Sequence, residues 1–117
     1  MHDDLEHLDS GALAELRDVM EEEFDILIDT FLDDSVERLQ HIREALDAGD
    51  PEAYSRACHS FKGSATNMGL IRLSALCKTG EDHGRKGQMA DAPAITEAIA
   101  AELESVRQLL AAEKANN

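Results

Sequence analysis

Apolar residues recur at intervals of three and four along four separate segments of this chain, with no strand-like alternation between them. Phe24, Leu27, Ile28, Phe31, Leu32, Leu39, Ile42 and Leu46 form the first stripe, and Tyr54, Ala57, Cys58, Phe61, Ala65 and Met68 the second. Leu73, Leu76, Cys77, Gly80 and Gly84 form the third, and Ile95, Ile99, Leu103, Val106 and Leu110 the fourth. This spacing gathers side chains on one side of an α-helix, whereas a half-buried strand needs a period of two. Aromatic residues are only 3% of the chain, and Ala, Leu, Glu and Asp are frequent, which favours helix over sheet. Four long amphipathic helices with short connections bury their stripes best against one another. The expected fold is all-α: an antiparallel four-helix bundle with a short additional N-terminal helix capping one end.

The punctuation between the stripes sets the boundaries. A short helix is predicted over Ser10–Met20, capped by Asp9 or Ser10, with Leu13, Leu16 and Met20 on its apolar side. The second helix is predicted over Glu22–Ala48, its acidic start suiting the positive end of the helix dipole. Gly49, Asp50 and Pro51 then supply a C-terminal cap, an N-cap and a first helical residue. The third helix is predicted over Pro51–Met68 and ends at Gly69. The fourth covers Leu70–Arg85, and Gly80, Gly84 and Gly87 weaken its second half. Gly87–Pro93 reads as a loop, Asp91–Lys114 as the fifth helix, and Ala115–Asn117 as a frayed end.

At 117 residues the chain is long enough for one domain, 1–117, but too short to add a nucleotide-binding domain. No apolar run approaches the 18 or so residues of a membrane span, and the acidic start lacks the pattern of a signal peptide, so a cytoplasmic protein is expected. Cys58 and Cys77, at apolar helical positions and without zinc-site spacing, read as reduced core residues. His2 and His7 lie in what reads as a mobile acidic start, and His83 as a surface residue near the end of the fourth helix.

The net charge of −14 argues against nucleic acid and anionic membrane as partners, since both carry the same sign. Its distribution is uneven. Residues 1–52 hold 18 acidic and 3 basic side chains, a balance of −15. Residues 53–90 hold Arg56, Lys62, Arg72, Lys78, Arg85 and Lys86 against Glu81 and Asp82, a balance of +4. The single basic stretch therefore surrounds His59, and this face is expected to meet something anionic.

His59 stands on the wrong side of its helix for a core residue. At 100° per residue the apolar stripe of the third helix spans an arc of about 100°, and His59 falls about 150° from its middle, towards water. Gly63 lies beside it on the same face, four residues on. A glycine inside a helix costs roughly 1 kcal/mol relative to alanine, and here it leaves another molecule room to approach the imidazole. Lys62 stands at the edge of that face and can answer an anion. An exposed imidazole, a flanking cation and a cleared neighbour together suggest a histidine that carries a phosphoryl group.

The residues from Ala57 to Gly87 resemble the signature of histidine-containing phosphotransfer (HPt) domains: His, any residue, apolar, Lys, Gly, Ser or Ala, a second Gly six residues after the first, then a leucine-rich helix ending in Glu or Gln. The matching residues are His59, Phe61, Lys62, Gly63, Ser64, Ala65, Gly69, Leu73, Leu76, Cys77 and Glu81. The resemblance implies a four-helix bundle with His59 as phosphoacceptor, Lys62 offsetting the phosphoryl charge, Gly63 leaving room for the partner and Glu81 orienting the histidine from the neighbouring helix. Three departures stand out: Gly80 replaces a bulky apolar residue, and Cys58 and Phe61 replace the commoner Ala and Leu.

The chemistry agrees. A histidine nucleophile must be neutral, with the proton on one ring nitrogen and a lone pair on the other. A carboxylate accepting from Nδ1–H leaves Nε2 free to attack. A carboxylate held too tightly would protonate the ring, so only a moderate contact with Glu81 is expected. The chain has no Gly-rich phosphate loop, so it is expected to relay phosphate and not to generate it. No cofactor is expected, and any Mg²⁺ should belong to the partner. The resemblance implies that partner: receiver domains, first of a hybrid sensor kinase and then of a response regulator. They would dock on a monomer through Arg56, His59, Lys62, Gly63 and Thr66, with Lys78 and Arg85 beside them. Two other readings share the fold: a non-catalytic acidic module that masks a basic partner, and the phosphoacceptor domain of a chemotaxis-type histidine kinase.

Overall fold

The computed structural model describes residues 1–115. It contains α1 (Ser10–Met20), a 3-10 turn (Glu21–Glu23), α2 (Phe24–Ala48), α3 (Pro51–Asn67), α4 (Ile71–Arg85) and α5 (Ala92–Ala115), with no strand among the described residues. Local chemistry sets most of the ends. The Asp9 carboxylate accepts from the Ala12 N–H at 3.0 Å and the Asp50 carboxylate from the Ala53 N–H at 3.1 Å. Each such cap stabilises its helix by roughly 1 kcal/mol. Gly49 takes the left-handed conformation (φ 63°) that closes α2, and Pro51 opens α3 two residues later.

The predicted boundaries shift by one or two residues. The second helix starts at Phe24, not Glu22, because Glu21 adopts a positive φ of 49° that breaks the axis after α1. The third helix stops at Asn67, with Met68 as its cap, and the fourth starts at Ile71. Ala115 closes α5, while the rest of the end expected to fray, Asn116 and Asn117, lies outside the described residues.

The four long helices close a ring in which α2 packs on α3, α3 on α4, α4 on α5 and α5 on α2. Phe24, Ile28, Ile42, Tyr54, Phe61, Leu73, Ile95, Ile99, Val106 and Leu110 meet in the middle, all at most 1% exposed. Burial of a side chain of this size contributes roughly 1.5–3 kcal/mol. The buried Tyr54 hydroxyl is satisfied by the Ala92 carbonyl oxygen at 3.2 Å and Thr96 Oγ1 at 2.8 Å. α1 caps one end. Leu13 is buried, the Asp9 N–H donates to the Gly69 carbonyl at 2.8 Å, and Arg17 both pairs with Glu113 and covers the Phe24 ring.

One expectation is overturned. Gly80 and Gly84 do not weaken α4; they seat it against α3. A methyl group at position 84 would lie 2.7 Å from the Pro51 carbonyl oxygen and 2.8 Å from the Ser55 nitrogen, and one at position 80 would lie 2.7 Å from Cys58 Sγ. The departure at Gly80 is thus matched by the larger Cys58 opposite it. This close approach lets Ser55 Oγ donate to the Glu81 carbonyl at 2.9 Å and fixes Glu81 across from the middle of α3.

Candidate functional site

Successive side chains on α3 step by 100°, so the residue after a core position points outward. Cys58 is fully buried, and the His59 side chain next to it is 66% exposed. From α4, Glu81 reaches back under this imidazole with a side chain only 11% exposed. Its Oε2 lies 2.7 Å from His59 Nδ1, and its Oε1 accepts from Lys62 Nζ at 2.7 Å. One carboxylate thus holds both residues. The contact with His59 is a full hydrogen bond, closer than the moderate contact expected, and Lys62 shares the charge.

Burial alone would push the Glu81 carboxyl up. The hydrogen bonds from Lys62 and His59 outweigh it and hold the group below its ordinary value, as a carboxylate. With the proton of the neutral ring on Nδ1, facing that carboxylate, the Nε2 lone pair points to the open side. Nε2 has no hydrogen-bond partner among the described residues. Gly63 borders this open side: a methyl group there would meet nothing within 4 Å.

Cys58, beneath the site, is no competing nucleophile, since burial pushes its thiol up to about 12. Cys77 is also buried and free, and burial raises its thiol too.

The remaining predicted residues fall into two depressions flanking the histidine. Lys62, Thr66 and Lys78 line one; Arg56 and Arg85 line the other, at the end where α3 begins and α4 stops. All four cations are already paired: Lys62 with Glu81, Arg56 with Glu52, and both Lys78 and Arg85 with Asp82. Lys62 is mostly covered, not a surface residue. Sequence reasoning missed two contacts near the histidine. Arg38 of α2 donates to Ser60, the residue after His59, and Ser74 of α4 meets the Thr66 hydroxyl at 2.8 Å. Both pairs join different helices, and nothing in the local spacing signals either.

The chain is similar to known proteins along most of its length. The Hpt domain profile matches residues 26–109. The crystal structure of histidine-containing phosphotransfer protein B (HptB) from Pseudomonas aeruginosa PAO1 superposes with a TM-score of 0.92 at 43% sequence identity, covering 95% of this chain and 96% of that one. No curated protein matches. No helix among the described residues is long and apolar enough to cross a membrane. The chain belongs to the Hpt domain family and has a histidine phosphotransfer role in two-component signalling.

Proposed function

We propose that His59 is the phosphoacceptor of a cytoplasmic, monomeric phosphorelay protein, taking its phosphoryl group from the receiver aspartate of a hybrid sensor kinase and passing it to the receiver of a response regulator. The observation that carries this reading is the exposed ring whose Nδ1 is held at 2.7 Å by a buried carboxylate. In the forward step the Nε2 lone pair attacks phosphorus, the P–N bond forms and the P–O bond of the aspartyl phosphate breaks. The receiver carboxylate leaves with the bonding pair. No proton leaves the ring. The positive charge that develops on it is met by Glu81 through Nδ1–H. Transfer to the second receiver reverses these bonds.

Phosphoryl transfer asks mainly for positioning and charge neutralisation. Lys62 supplies a cation beside the histidine. Gly63 leaves the approach open, and Arg56, Thr66, Lys78 and Arg85 flank it. We assign the Mg²⁺ to the receiver, because both oxygens of Glu81 are already engaged. The protein is a phosphocarrier and not a catalyst.

The test is incubation with a phosphorylated receiver. An acid-labile, alkali-stable phosphate should form on the protein and be absent from His59→Ala. A module that only masks a basic partner would bind its partner equally well after that substitution and carry no phosphate.

A further inference from the structure

The N-terminal stretch, expected to be a mobile acidic start, is tied down along its length. His7 Nδ1 lies 2.7 Å from Glu102 Oε2, a carboxylate on α5 whose side chain is only 4% exposed. Arg72 of α4 approaches the other Glu102 oxygen at 3.8 Å. The same guanidinium donates to the Leu5 carbonyl through Nε at 2.9 Å and to the Asp3 carbonyl at 3.1 Å. Further along, His2 Nε2 meets Thr79 Oγ1 at 2.7 Å. A carboxylate as buried as Glu102 is costly without its partners, so the pairing with His7 and Arg72 fixes where the stretch lies.

What the stretch does there follows from its other face. His2 and Leu5 line a groove of about 670 Å³ whose remaining lining includes Lys62 and Thr66 of α3 and Ala75 and Lys78 of α4. The groove therefore runs from the N-terminal stretch to Lys62, the residue that shares the Glu81 carboxylate with His59. A protein that brings an aspartyl phosphate to His59 passes beside this groove, whose exposed lining is mostly apolar and whose charged residues are Asp9, Lys62, Lys78 and Asp82.

We propose that residues 2–9 form a fixed wall of the receiver-docking surface, and that His7 and Glu102 are positioning residues that set this wall from behind. The proposal rests on the reading of His59 as phosphoacceptor and adds to it a remote control of docking. It places on the receiver an apolar element that enters the groove.

The experiment separates docking from chemistry by using two donors. Phosphoramidate, a small donor, reaches His59 without the groove; a phosphorylated receiver needs it. In His7→Ala the rate with phosphoramidate should match the parent, while KM for the receiver rises about tenfold with kcat nearly unchanged. His7→Asn carries an N–H at a reach similar to Nδ1 and should restore most of the affinity. Should His7→Ala prove unfolded, His2→Ala, which loses the Thr79 contact and its own share of the groove wall, should show the same selective rise in KM. An unchanged receiver KM in a folded variant overturns the proposal, as does an equal loss with both donors. If the parent itself takes no phosphate from phosphoramidate, the His59 reading fails instead, so the two failures are distinguishable.

Discussion

Lys62 and His59 are held by opposite oxygens of one buried carboxylate, each at 2.7 Å. This sharing makes Lys62 part of the fold as well as of the site. Its charge offsets Glu81 before any phosphate arrives, and its side chain is only 24% exposed. Removing one member changes the other two, so substitutions here should be read as a set.

Lys62→Ala should therefore cost stability, contrary to what a surface lysine would show. It leaves a buried carboxylate oxygen without its donor, a loss of about 1–3 kcal/mol. Thermal melts should show a drop of several degrees, and phosphotransfer should slow as well. A melting temperature equal to the parent's would mean that Lys62 is not bound to Glu81 in solution.

Glu81→Gln and Glu81→Ala should form a graded series. The glutamine can still accept from Nδ1–H with its amide oxygen, whereas alanine cannot. Transfer from a phosphorylated receiver should fall roughly tenfold to a hundredfold in Glu81→Ala and less in Glu81→Gln, the scale found for carboxylates that orient a metal-bound histidine in the same way. Equal rates for both variants and the parent would remove Glu81 from the account.

The same carboxylate sets an acid limit. Its folded value lies below its ordinary one, so its contribution to stability is fully present above the unfolded glutamate value of about 4.3 and is lost as pH falls through the folded value. The gap in melting temperature between the parent and Glu81→Gln should narrow as pH falls from about 5 toward the pH at which both carry a neutral side chain. A gap that widens over that range would reverse the sign of the argument.

The glycines should behave in opposite ways. Gly63→Ala places a methyl group in open space on a helix and should raise stability by up to about 1 kcal/mol. Gly63→Leu should fold normally yet block transfer from the receiver. Gly84→Ala drives a methyl group into the backbone of Pro51 and Ser55 and should destabilise by about 1–3 kcal/mol. Melting curves of the three variants, with a transfer assay on the second, check these outcomes.

Much of this was legible in the chain because it rests on local spacing. The stripes, the caps at Asp9 and Asp50 and the break at Gly49 are set by neighbours within a few residues, and the helices lie where they were read to within two positions. The outward turn of His59 follows from its place between Cys58 and the Phe61 stripe. What could not be read depends on how far apart the helices stand. Gly80 and Gly84 look like weak points in one helix until α3 is laid against them. The depth at which Glu81 lies, and the cover this gives Lys62, follow from that same approach. His7 and Glu102 are 95 positions apart, and no periodicity connects them.

The proposed relay requires that Glu81 occupy Nδ1 of His59 and leave Nε2 to take the phosphoryl group. Nuclear magnetic resonance of ¹⁵N-histidine-labelled protein, after reaction with a phosphorylated receiver, reports which nitrogen of which ring bears phosphorus. The structure predicts phosphorus on Nε2 of His59, with the proton on Nδ1. Phosphorus on Nδ1, or on any other histidine with His59 left unmodified, would contradict it.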